Sequence, residues 1–161
     1  MSMARRVAGG TAGGMLGSAV MAVPILAARA AGLIGTPPPE RITEGLLARW
    51  GLRLDRRTED RLSVLSHLGF GATAGGLYGR VAPPVKAVPQ ALALGIGYGT
   101  AIYAVSYAGW VPALGLLPPP DRDRPARQAV MLIAHWLFGA TTALVTLAAS
   151  RDERPLSRVS E

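Results

Sequence analysis

The chain has no cysteine, which removes disulfides, thiolate metal sites, iron–sulfur ligation and a cysteine nucleophile together. Basic residues are almost all arginine, sixteen against the single Lys86, and histidine occurs only twice. The most consequential absence is of charge: none occurs in 7–28, 62–79, 87–120 or 128–150, stretches of 22, 18, 34 and 23 residues. About 20 mainly apolar residues cross the ~30 Å hydrocarbon core as a helix. Four transmembrane helices are therefore expected, the second from the shortest run. A mean hydropathy of +0.29 understates this, because the charges are concentrated in the connections.

A formal charge of +7 on a soluble chain would point to nucleic acid. Here the arginines flank apolar runs, where they meet anionic headgroups, so the expected partner is the lipid bilayer and not nucleic acid. The start "MSMARR", the apolar run after it and Ala28-Arg29-Ala30 imitate a signal peptide with its cleavage site. An arginine inside that site and dense glycine favour retention of the first helix.

So does an internal repeat. "HLGFGAT" (67–73) returns as "HWLFGAT" (135–141), and "GGMLGSAVMAV" (13–23) aligns with "GIGYGTAIYAV" (95–105). Between these phrases "GLIGTPPPER" (32–41) echoes "GLLPPPDR" (115–122). The expected fold is all-α, a single membrane domain over 1–161 forming a four-helix bundle from two tandem hairpins. Repeat 1 covers about 7–80, with helices near 7–30 and 61–80; repeat 2 covers about 87–150, with helices near 89–110 and 127–150. Each unit crosses twice, so the repeats are parallel, related by a pseudo-two-fold along the bilayer normal, and His67 and His135 are expected level. In the first connection, Ile42, Leu46, Leu47 and Trp50 recur at helical spacing, predicting an interfacial amphipathic helix at about 40–50. Thr58 reads as the cap of the second membrane helix.

"GFGATAG" (69–75) and "GIGYG" (95–99) resemble nucleotide loops but lie inside apolar runs without a preceding strand. Helix packing accounts for them better: Gly10, Gly13, Gly14 and Gly17, Gly71, Gly95 and Gly99, and Gly139 let membrane helices approach closely. The first and third helices are the expected inner pair, or else the surface of a homodimer. His67, Gly71 and Tyr78 share one helical stripe, and His135, Gly139, Thr142 and Thr146 form its equivalent. Three readings of the histidines stand open: bonds to neighbouring helices, proton or solute passage along the polar stripe, or axial ligation of a b-type haem by His67 and His135. Trp50, Trp110, Trp136 and Tyr107 are expected as an interfacial aromatic belt, and Arg29 snorkels to that interface. No nucleophile–base pair, carboxylate pair or metal cluster falls within a membrane run, so no catalytic residue, metal site or resident cofactor is assigned and the chain reads as non-enzymatic.

These phrases, a glycine-rich first helix leading to "GLIGTPPPER", a second helix "HLGFGATAGGLYG", a third running into "GLLPPP" and a fourth opening "AHWLFG", resemble the YagU-like family of small bacterial inner-membrane proteins. The resemblance spans about 140 residues. It implies a multi-pass protein of the bacterial inner membrane, of unestablished molecular activity and with a link to acid stress. The connection ahead of the second helix is shorter here than in that family, so a loop-borne function does not carry over. Arg5, Arg6, Arg80, Lys86, Arg151, Arg154 and Arg158 lie on the side of the termini, against nine basic residues, or ten with Arg29, on the other. Most of that excess lies in one long loop, and Arg5-Arg6 precede the first helix, so the termini are expected to be cytoplasmic.

Overall fold

The computed structural model describes residues 2–151; Met1 and 152–161, including Arg154 and Arg158, lie outside the described residues. The described chain is helical: α1 (Met3–Ala30), α2 (Pro38–Arg49), α3 (Arg56–Val81), α4 (Val88–Ala113) and α5 (Pro125–Arg151). Within α4 the α-helix gives way to one π turn at Ser106–Trp110. Pro112 explains its position, since a proline cannot donate to the carbonyl four residues back and its ring crowds it.

Three of these helices, α1, α4 and α5, are long and apolar enough to cross a membrane. The second apolar run falls short in composition. Charges at Arg56, Arg57, Glu59, Asp60 and Arg61 occupy the start of α3, and glycine dilutes the remainder of the helix.

Three helix ends share one chemistry. Gly32, Gly51 and Gly115 have φ of +70°, +67° and +66° after α1, α2 and α4, the left-handed position that closes a helix. Behind each, a leucine amide reaches back: Leu33 to Ala28, Leu52 to Leu47, Leu116 to Val111. The "GL" shared by the two Pro-rich phrases is thus a stop signal. At the other end of α3 the cap is Asp55, not Thr58: its carboxylate accepts the Thr58 amide at 3.1 Å and the Thr58 hydroxyl at 2.5 Å. The helix therefore starts at Arg56, ahead of the expected 61.

The packing order is α3–α1–α5–α4, so α1 and α5 form the inner pair rather than the first and third membrane helices. The reason is that α1 has two small-residue faces. Gly10 and Gly14 lie against the backbone of Gly71, Gly75 and Gly79 on α3. Gly13 and Gly17 lie against α5, where an added Cβ would come within 2.8 Å of the Thr142 and Phe138 carbonyl oxygens respectively. Gly95 and Gly99 bring α4 onto Gly139 and His135 of α5 in the same way. Between α3 and α4 the contact is made by Tyr98, whose hydroxyl donates to the Ala74 carbonyl at 2.5 Å and whose ring centroid lies 5.1 Å from that of Tyr78.

Helix α2 lies across one end of this assembly. Glu40 pairs with Arg29 at 2.8 Å, Arg49 donates to the Leu114 carbonyl, and Gly45 packs on Leu116. Its apolar face is turned toward the helix ends, while Trp50 stays exposed.

Candidate functional site: a histidine-lined cavity

Beneath α2 the divergence of α3 and α4 leaves a cavity of about 230 Å³. Ser18, Met21 and Ile25 of α1 form one wall, and His67 and Phe70 of α3 another. The π turn contributes Ser106, Tyr107 and Trp110, α5 contributes Met131, His135 and Phe138, and Pro38, Ile42 and Leu46 of α2 close the top.

Both histidines therefore face one space. The Ser18 hydroxyl lies 3.4 Å from the His67 carbonyl, which puts His67 level with that turn of α1. Gly17 meets Phe138, and since α1 and α5 run antiparallel, His135 falls about one turn away, level with Met21. His135 is held by its Nδ1, 2.6 Å from the Met131 carbonyl, and by an edge-on contact with Tyr103 whose centroid is 5.5 Å away. His67 Nε2 is buried with no hydrogen-bond partner. An unpartnered buried polar atom is uncommon in folded proteins and calls for an explanation.

The rest of the expected polar stripe is divided. Tyr78 and Thr146 line a separate recess at the opposite end, together with Arg6, Lys86 and Arg151. Thr142 sits between the two spaces with no exposed surface, its hydroxyl bonded to the Phe138 carbonyl at 2.8 Å. Thr146 likewise bonds the Thr142 carbonyl at 2.7 Å. The stripe is interrupted because Gly13 and Gly17 admit the α1 backbone directly over Thr142. Tyr98 packs against the apolar clusters of both ends and completes this waist.

Sequence reasoning missed a polar cluster at the cavity's edge. Arg127 pairs with Asp123 at 3.0 Å, their side chains 7% and 2% exposed, and the Tyr107 hydroxyl donates to Asp123. Tyr107 is thus buried within the protein rather than placed in an interfacial belt. The signal available was an Asp-x-x-x-Arg spacing at the start of a helix, obscured because charges there read as markers of topology. Among the described residues, no group of three or more His, Cys, Asp or Glu side chains converges on a metal-sized space.

The fold and the cavity define an all-helical protein with membrane-length helices around a small, mainly apolar chamber. Comparison with protein-family models, curated proteins and solved structures finds no match for the chain.

Proposed function

We propose that the chain is a non-enzymatic, multi-pass protein of the bacterial inner membrane, of the YagU-like kind, which holds or passes a small solute in the chamber between His67 and His135. In this reading α1, α3, α4 and α5 all cross the membrane as a four-helix bundle with cytoplasmic termini. Support for α3 as a crossing comes from its exposed apolar side chains, Val64, Leu65, Leu77 and Val81, which lipid would cover. The tandem-hairpin reading is supported by the Gly14–Gly71 and Gly95–Gly139 crossings, one within each hairpin. A homodimer through the glycine faces is less favoured, because Gly10, Gly13, Gly14 and Gly17 already serve contacts inside the chain.

The observation that carries the solute reading over a purely structural one is that histidines from two different helices line one chamber, with His67 Nε2 buried and without a hydrogen-bond partner. The cysteine-free chain allows a direct test. In membrane vesicles, a Ser106→Cys variant should react with a small water-soluble thiol reagent from one side only, and a Thr142→Cys variant from neither. An inert Ser106→Cys variant would leave scaffolding as the better reading. A periplasm-active reporter fused after Glu161 should be silent.

A b-type haem between His67 and His135 is the second reading, favoured by the same two imidazoles. Its difficulty is room: about 230 Å³ lies below the ~300–1,000 Å³ of pockets for drug-sized ligands, and a porphyrin would have to force α4 away from α3. A Soret band in purified protein, lost in a His67→Ala variant, would establish it.

A further inference from the structure

We infer that the chamber is a binding site for a soft monovalent cation of the Cu(I) class, with His67, His135, Met21 and Met131 as its donors. The inference rests on the reading of this chamber as a solute site and adds the chemistry of the solute.

Two thioethers and two imidazoles line the same small space, and both methionines are 4% exposed. The helix register puts Met21 level with His135 and about one turn from His67, and Met131 lies one turn from His135 on the same face of α5. The Met131 carbonyl binds Nδ1 of His135, which leaves Nε2 as the nitrogen free to coordinate. Metal-ligating histidines are commonly oriented in this way, the second ring nitrogen donating to a carbonyl or carboxylate. On α3, His67 Nε2 is already bare and buried. Coordination would give the unpartnered His67 nitrogen a partner.

Charge and softness select the ion. No aspartate or glutamate lines the chamber, so every donor is neutral. The cost of desolvating an ion grows with the square of its charge, and a chamber with no anionic donor favours a single charge over a double one. Thioether sulfur prefers soft ions such as Cu(I), while magnesium and calcium require oxygen donors. Phe70, Phe138 and Trp110 also line the space, and aromatic rings are compatible with a cation.

The experiment uses the full-length protein in detergent, with Ag(I) nitrate as a redox-inert probe and Cu(I), kept reduced, in competition with a chromophoric chelator. One ion per chain should bind, with nitrogen and sulfur neighbours by X-ray absorption. Met21→Leu with Met131→Leu conserves volume and should weaken binding by roughly 10- to 100-fold or more, as should His67→Ala; Met15→Leu, on an exposed position, should change nothing. Absence of binding, binding without sulfur neighbours, or binding indifferent to the chamber substitutions overturns the inference. If the Ser106→Cys variant is reactive and no Ag(I) binds, the metal assignment fails while the solute reading stands; if that variant is inert and no ion binds, both fail.

Discussion

Gly14 of α1 and Gly71 of α3 approach so closely that a Cβ added to either would collide with the carbonyl oxygen of the other. Neither atom in the way is a flexible side chain, so relief requires the helices to separate. Gly14→Ala should destabilise the protein by about 1–3 kcal/mol, as overpacking does. Gly97→Ala is the control: nothing lies within 4 Å of its added Cβ, and alanine is favoured over glycine in a helix by roughly 0.5–1 kcal/mol. Unfolding in mixed detergent should show opposite shifts for the two variants. Equal shifts would mean that the close approach does not exist.

The Asp123–Arg127 pair gives a second test. Both side chains are almost fully buried, so removing one partner strands the other's charge. Asp123→Ala should cost roughly 3–5 kcal/mol, whereas replacing both residues by apolar ones of similar size should restore most of the loss. Tyr107→Phe removes one donor to Asp123 and should cost about 1–3 kcal/mol, in the range for a hydrogen bond to a charged group. A double variant as unstable as the single one would show that the pair does more than satisfy itself.

The features legible in the sequence are those set by chemistry that acts locally. Absence of charge marked the three membrane-length helices, together with the run of α3, which falls short of them. The amphipathic pattern located α2, although its apolar face covers helix ends instead of lipid. Neighbour choice was not legible, because the faces at Gly10/Gly14, Gly13/Gly17 and Gly95/Gly99 are chemically alike and only three-dimensional register distinguishes their partners. The same limit hid Met21, which is 114 positions from His135 and comes level with it only through the α1–α5 pairing. Thr58 resembles a cap in the sequence, but Asp55, three residues earlier, performs the same chemistry and begins the helix sooner.

That cap has a pH signature. The Thr58 hydroxyl, and after it the Thr58 amide, hold the Asp55 carboxyl below its ordinary value. A group whose pKa falls on folding contributes its stabilisation above the unfolded pKa and loses it as pH drops through the folded one. The first turn of α3 should therefore stay protected at neutral and mildly acid pH and fray only in strong acid. Hydrogen exchange at the Thr58 and Glu59 amides measures this. Asp55→Asn keeps an acceptor and should remove the pH dependence, whereas Asp55→Ala should fray at every pH. Fraying that persists unchanged in the asparagine variant would assign the effect to another group.

The waist makes the last prediction. Tyr98 is anchored by its hydroxyl at Ala74 and by its ring at Tyr78, and it touches the apolar clusters of both ends. Tyr98→Phe keeps the ring and loses one hydrogen bond, for about 1 kcal/mol, so separation of the two spaces should survive. Tyr98→Ala removes the ring where α3 and α4 already diverge, joining the histidine chamber to the recess at Arg6 and Arg151. In the Tyr98→Ala background a Ser106→Cys variant should react with a water-soluble thiol reagent from both sides of the membrane. In the Tyr98→Phe background it should react from one side only, as in the otherwise unaltered chain. Should Tyr98→Ala leave labelling one-sided in a protein that still folds, the barrier lies in the glycine contacts around Thr142 rather than in the tyrosine.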